Sequence, residues 1–403
     1  MNIMITLPGL MLGGAETHLI NLADALRDRG VDVSVALIRP EREVLDRVAG
    51  ISEVIGLLPT VVVSCLRRLE AIPPTRYLVS RHFVRLALYR LHSVPRLRAL
   101  LRERQIDVVV SALWEADVVT GLAIAGLSSD RRPKWVVSAA YDFEAPVRRS
   151  LINSVLLTPL RHLYRQASAF VAPSSRIAGQ LRSLLVRRGV PQVWLIPNAV
   201  PVDELSAIAS ARIETTRGSS HSSSDEGPVL VAVGRLVPEK GFDILLRALQ
   251  EVRKSFPATR LMVIGEGPSR PILERLASEL NLDQAVVWMG FLKNPFPHMS
   301  RAQILVAPSR WESFGNAVAE AMALGVPVIA TRCGGPEDLI ESGLTGILVP
   351  VDDVQALARA IIALLGDEET RTELATAARA SAAQFAAGAV GERYLERFRT
   401  LFA

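Results

Sequence analysis

The sequence predicts an α/β protein made of two doubly wound domains, each a parallel sheet with helices on both faces. Three observations carry this reading. Short runs rich in Val, Ile and Leu alternate with helical patterns in both halves of the 403-residue chain, the order that parallel sheets require. Glycine-containing turns follow several of those runs and open the next helix, as at Gly13-Gly14, Gly234 and Gly265. A polar stretch without apolar anchors, Gly218 to Pro228, lies between the halves and reads as a flexible linker. The length allows two domains of about 200 residues, each able to bury its own core.

Taken in order, the first half places strands near 2–7, 31–38, 107–112, 134–139, 168–172 and 192–196, with helices near 15–29, 85–103, 152–166 and 174–187 between them. The second half places strands near 229–234, 259–264, 285–289, 303–307, 326–330 and 345–349, with helices near 241–255, 269–280, 315–324 and 353–365. The helix at 315–324 is bounded by Gly315 and Gly325 and leads into the apolar run Val326-Pro327-Val328-Ile329-Ala330. Asp352-Asp353 precedes Val354-Gln355-Ala356-Leu357-Ala358 as an N-cap would. The expected divisions are a first domain at 1–205, a linker at 206–228, a second domain at 229–385 and a C-terminal helix at 386–403. Ligands of open α/β sheets bind at the carboxyl ends of the strands, so two facing domains would form a cleft that holds the chemistry.

Composition narrows the function. A chain that is 49% hydrophobic and 22% charged is globular. Only Cys65 and Cys333 could pair, so no disulfide framework is implied and a reducing compartment is expected. The initial Met runs directly into a strand-like segment without the layout of a secretory signal, which points to the cytoplasm. The apolar stretch from Val108 to Leu127 is broken by Glu115 and Asp117, short of the roughly 20 residues a membrane span needs. The net charge of +5 hides an asymmetry: residues 1–200 carry 26 Lys+Arg against 16 Asp+Glu, and residues 201–403 carry 20 against 25. The basic half lacks the aromatic interleaving of a nucleic-acid platform, so nucleic acid is not expected as a partner. An anionic phospholipid face and a lipid-linked diphosphate fit it better.

The most informative segment is Arg310-Trp311-Glu312-Ser313-Phe314-Gly315-Asn316, followed by Glu320 and then Gly325-Val326-Pro327-Val328. Glu312 would lie in a loop above the helix and Glu320 inside it. The backbone N–H groups of Phe314, Gly315 and Asn316 would stand at the helix N-terminus, where orphan donors and the macrodipole favour a diphosphate. A carboxylate on each side could then hold hydroxyls of a sugar and of a ribose. Arg235 and Lys240, leaving one strand end between Gly234 and Gly241, could offset charge growing on a departing nucleoside diphosphate. Gly13-Gly14 would let the backbone approach a ligand at the start of a helix. No acid follows the second strand, Leu37-Ile38-Arg39, so this is not a dinucleotide fingerprint.

These segments together resemble the retaining glycosyltransferases of family 4, which have the GT-B fold of two Rossmann-like domains. Glu312 and Glu320 with Phe314-Gly315 match the family's Glu-x7-Glu signature. Gly13-Gly14-Ala15-Glu16, Pro197-Asn198-Ala199-Val200, Gly234 to Gly241 and Gly265-Glu266-Gly267-Pro268 each resemble a family motif in the family's order. The resemblance covers nearly the whole chain. It implies an acceptor-binding first domain and a donor-binding second one, with transfer of a hexosyl or N-acetylhexosaminyl group from a nucleotide sugar, UDP-linked, to a glycan or lipid-linked saccharide. By the same resemblance Glu312, Arg235 and Lys240 are the catalytic residues. Gly13, Gly14, Asn198, Gly265, Glu266, Phe291, Phe314, Gly315, Asn316 and Glu320 line the substrate, the base lying near Gly265 and Gly290-Phe291-Leu292.

The chain departs from the family in the first domain, where Ala139-Ala140-Tyr141-Asp142 stands in place of a histidine that contacts the donor sugar in many relatives. Asp142 is a candidate for a sugar or acceptor contact, and His82, His92 and His162 read as surface residues. No cofactor is implied. With no His/Cys cluster and no convincing acidic pair, no metal is expected, and Arg235, Lys240 and helix dipoles would act at the leaving group instead. Residues 61–104 hold ten arginines, among them Arg81, Arg85, Arg96 and Arg98, against Glu70 and Glu103. Such a basic amphipathic segment suits peripheral contact with an anionic membrane. A sugar-nucleotide epimerase and a nucleotide-sugar-binding protein without turnover remain as alternatives.

Overall fold

The computed structural model describes residues 1–9, 13–40, 54–59, 63, 88–139, 162–185, 192–208 and 227–403. Asp142, Cys65, Arg81, Arg85 and most of the segments 206–228 and 152–166 lie outside the described residues. The chain divides into two compact units, Met1–Ala199 with Ala387–Ala403, and Val200–Ala386.

In the first unit the described elements run β1 (Asn2–Leu7), α1 (Gly14–Arg27), β2 (Asp32–Leu37), β3 (Val54–Gly56), α2 (Val94–Glu103), β4 (Val108–Ala112), α3 (Trp114–Ala125), β5 (Lys134–Ser138), β6 (Ala169–Ala172), α4 (Ser175–Leu185) and β7 (Gln192–Leu195). The strands form one seven-stranded sheet in the order β3-β2-β1-β4-β5-β6-β7. Every pairing is parallel. The strand order reverses between β1 and β4, whose pairing sets Ile3 opposite Val108.

Two of these elements escape the sequence reading. β3 is three residues long and carries no period. α3 is a helix whose apolar residues lie on all sides, so the amphipathic stripe that marks a surface helix is absent. The acids that interrupt its apolar stretch are both buried. Glu115 meets Arg39 at 3.0 Å, and Asp117 accepts hydrogen bonds from Ser111 Oγ (2.6 Å) and Tyr164 Oη (2.7 Å). Buried charges persist when paired in this way. Arg98 gives its guanidinium to the carbonyls of Leu122 and Ala123 at 3.1 and 3.2 Å. It therefore covers the C-terminal end of α3 rather than standing on a basic face. Arg90, Arg96 and Arg102 are exposed.

The second unit contains β8 (Val229–Val233), α5 (Phe242–Ser255), β9 (Arg260–Ile264), α6 (Arg270–Glu279), β10 (Val286–Gly290), α7 (Phe296–Met299), β11 (Ile304–Ala307), α8 (Asn316–Ala323), β12 (Val328–Thr331), α9 (Gly335–Leu339), β13 (Ile347–Val349), α10 (Val354–Gly366) and α11 (Glu368–Ala382). Its six strands lie parallel in the order β10-β9-β8-β11-β12-β13, with the reversal between β8 and β11. Asp353 caps α10 by accepting from the Ala356 N–H at 2.8 Å. Residues 200–205, assigned to the first domain from sequence, pack here. The Val200 N–H donates to Phe385 O at 2.9 Å, and Val200, Val202 and Leu205 are buried in the same core as Phe314 and Val318.

The final helix, α12 (Ala387–Arg399), returns to the first unit. Tyr394 and Phe398 meet edge to face at 5.6 Å, and both are fully buried among residues of α1, β1 and β7. Burying a side chain of this kind contributes about 2 kcal/mol relative to leaving it in water. Tyr394 Oη also lies 3.2 Å from His18 Nε2 on α1. His18 Nδ1 accepts from the Ala199 N–H at 2.7 Å, so its proton is on Nε2 and faces Tyr394. Burial pushes the His18 pKa from 6.5 down to about 3. A base depressed on folding is charged in the unfolded chain but not in the native one between those values, so stability falls as pH drops through that window. From pH 7 to pH 5 the wild-type chain should lose about 2 kcal/mol more stability than His18→Gln. Parallel urea midpoints for the two proteins at both pH values would contradict it.

Candidate active site

Six loops leave the carboxyl edge of the second sheet, and the two on either side of the strand reversal carry Arg235, Lys240 and Glu312. The loop after β8 begins at Gly234, whose N–H donates to Ile264 O at 3.0 Å, and ends in a 3-10 turn at Pro238–Lys240. Gly241 then takes φ +64°, and a Cβ there would lie 2.0 Å from Pro308 O. No other residue lets this loop lie against the loop after β11 so closely. Lys240 is thereby brought to Glu312, and its Nζ donates to Glu312 Oε1. Ser309 Oγ donates to the same oxygen at 2.8 Å. Glu312 Oε2 makes no hydrogen bond among the described residues. The pairing of Lys240 with Glu312 was not visible in the sequence, where the two residues stand 72 positions apart.

Glu312 is also held by its backbone. Its N–H donates to Cys333 O at 3.3 Å, and its carbonyl accepts from the Gly335 N–H at 3.1 Å. Cys333 is buried, and burial pushes its thiol up to about 12, so it stays protonated. Arg235, by contrast, is exposed, and its guanidinium makes no hydrogen bond or ion pair among the described residues. One cation is thus paired and one is free at the same strand end.

Of the three backbone donors expected at the helix start, those of Phe314 and Gly315 are open, making no hydrogen bond among the described residues. Gly315 caps α8 with φ +100°. The Phe314 ring is buried and stacks edge to face on Phe385 at 5.8 Å, so only its backbone faces a ligand. Asn316 opens the helix. Glu320, one turn on, is partly exposed yet makes no side-chain hydrogen bond among the described residues. The protein around it pushes its carboxyl from 4.5 up to about 7. A carboxylate so placed, open on one side, is ready for hydroxyl donors.

The remaining residues take weaker positions. Gly265 has φ +141°, and a Cβ there would lie 1.9 Å from Gly234 O. Backbone conformation and loop packing both require the glycine. Glu266 is committed to Arg270 at 2.7 Å. Phe291, just beyond β10, is 51% exposed. In the first unit Gly13 caps α1 with an ordinary φ of −75°, and a Cβ there would meet Glu16 Oε2 at 2.5 Å. Gly14 begins that helix and Asn198 is buried. Arg310, Ser309, Asp243 and His18 escaped the sequence reading, because each matters through a partner distant in the chain. Among the described residues no cluster of three or more His, Cys, Asp or Glu could hold a metal ion, and no helix is long and apolar enough to cross a membrane.

Residues 12–204 match the family described as Glycosyltransferase Family 4, and residues 227–367 match that described as Glycosyl transferases group 1. The lipopolysaccharide core biosynthesis glycosyltransferase LpsE of Rhizobium meliloti is 26% identical over 95% of each chain. The GDP-mannose-dependent alpha-(1-6)-phosphatidylinositol monomannoside mannosyltransferase of Mycolicibacterium smegmatis is 30% identical over 75% of this chain and 78% of its own. Among solved structures, Anabaena Alr3699/HepE in complex with UDP and glucose superposes with a TM-score of 0.76 at 23% identity, covering 99% of this chain and all of that one. The two Rossmann-like units are those of the GT-B fold.

Proposed function

Because the chain belongs to glycosyltransferase family 4, we propose that it moves a hexosyl or N-acetylhexosaminyl group from a UDP-sugar to a glycan or lipid-linked saccharide, with retention at the anomeric carbon. What supports the reading is the pair of loops leaving β8 and β11, which carry an exposed and unpaired Arg235, the Lys240–Glu312 pair and the open N–H groups of Phe314 and Gly315. In the transfer the bond from the anomeric carbon to the β-phosphate oxygen breaks, and the acceptor hydroxyl supplies the new oxygen while its proton passes to the departing phosphate oxygen. Negative charge grows on the departing diphosphate. Arg235, Lys240 and the two N–H groups meet that charge, and fixed donors of this kind stabilise it without reorganising. Glu312 Oε2 is left for a sugar hydroxyl and Glu320 for the ribose.

Incubation with labelled UDP- and GDP-sugars and a lipid-linked saccharide extract tests the proposal. Labelled saccharide formed from a UDP-sugar is the expected result. A rearranged sugar nucleotide would indicate an epimerase, and tight UDP binding without product would indicate a binding protein. Since two cations and two backbone donors are available to the diphosphate, saturating EDTA is expected to leave the rate essentially unchanged. A rate that collapses and returns with Mg²⁺ or Mn²⁺ would overturn metal independence.

A lipid-linked acceptor is reached at a membrane face, and the exposed Arg96 and Arg102 of α2, with Arg90 just before it, offer an anionic surface something to attract. Vesicles containing anionic lipid should bind the protein weakly and release it as salt rises. Changing those three arginines to Gln should abolish sedimentation with the vesicles and spare UDP affinity. Undiminished sedimentation would remove this face from consideration.

A further inference from the structure

The Lys240–Glu312 pair depends on two loops keeping register, and one side chain spans both. The Arg310 N–H donates to Glu239 O at 2.7 Å. Its guanidinium donates from Nη1 to Pro238 O at 2.7 Å, from Nη1 and Nη2 to the two oxygens of Asp243 at 2.8 and 2.7 Å, and from Nε to Asp352 Oδ1 at 2.7 Å. Arg310 sits two residues before Glu312, and the carbonyls it grips belong to the two residues before Lys240. Asp243 lies in the first turn of α5, directly after that loop. Asp352 takes φ +59°, a conformation few side chains adopt, at the turn into α10. Two carboxylates more than offset the charge of Arg310, so it adds no free cation to the site, unlike Arg235.

We propose that Arg310 is the positioning residue of this site, fixing the loop after β8 against the loop after β11 so that Lys240 and Glu312 meet. Only a planar fork reaches two carboxylates and a carbonyl at once, and lysine can satisfy fewer of these acceptors. Burial alone would raise the Asp243 carboxyl, but the hydrogen bond from Arg310 holds it below its usual value, so the carboxylate that the fork grips stays charged. The site has one unpaired cation, Arg235, and one that is clamped, Lys240.

A double-mutant cycle for transfer separates positioning from a general structural role. The kinetic arm rests on the transferase reading above. Arg310→Lys should lower kcat by about 10-fold with little change in KM for the donor, and cost less than about 2-fold in a Lys240→Ala background, because residues acting through one another are not additive. Equal losses in both backgrounds would overturn the inference. A second arm needs no substrate. Hydrogen exchange of full-length Arg310→Lys should quicken at the amides of residues 236–241 and 309–313, with the remaining core unchanged. Unchanged exchange there would overturn the inference even if the wild type proved an active transferase. Quickened exchange in a chain that transfers nothing would instead sink the transferase reading and leave the clamp standing.

Discussion

Replacing Lys240 with alanine is expected to cut sugar transfer by about 100-fold or more, comparable to losing one oxyanion donor. Two effects combine. The ammonium that meets the leaving diphosphate is gone, and Glu312, only 15% exposed at its side chain, loses the partner that orients it. Ser309 Oγ still donates to Glu312 Oε1, so the glutamate remains tethered. Arg235→Ala should match the loss through the first effect alone. It should not disturb folding, because the Arg235 side chain is exposed and bonded to nothing among the described residues. Measured kcat/KM for both variants, with unfolding midpoints as a control, decides the matter. Near-normal transfer by both would remove the cations from the mechanism.

Much of this arrangement was legible in the sequence because it rests on backbone demands that single letters reveal. Gly241 and Gly315 mark positive φ at the two loops that matter, and the runs at Val229 and Ile304 announce the strands beneath them. What stayed hidden depends on pairing across distance. Arg310 reads as one more loop arginine until Asp243 and Asp352 stand around it. His18 looks like a polar residue on an amphipathic helix, and the partners it meets, Ala199 and Tyr394, stand 181 and 376 positions away. α3 was missed for the opposite reason, since its outer stripe of Trp114, Val118, Leu122 and Ala125 is as apolar as its buried side, which erases its period.

The two glutamates should fail in different ways. Glu320→Gln should weaken UDP binding by about 10-fold, the value of a hydrogen bond from hydroxyl to carboxylate. Glu312→Gln should leave UDP affinity within a few-fold and lower kcat instead, because Oε2 is free for the sugar and the pairing with Lys240 loses its charge. The Glu320 carboxyl, pushed up to about 7, adds a pH signature. An acid raised on folding keeps its proton in the native state between about 4.5 and 7, so its contribution to stability is present below that window and lost as pH rises through it. Ribose hydroxyls need the deprotonated form, which means UDP affinity should rise by about 10-fold from pH 6 to pH 8 beyond any titration of the phosphate itself. Glu320→Gln should retain only the phosphate's share of that slope. Calorimetric titrations of both proteins across the window give the comparison. Identical slopes, or an equal loss of UDP affinity in the two glutamate variants, would mean that Glu320 does not hold the ribose.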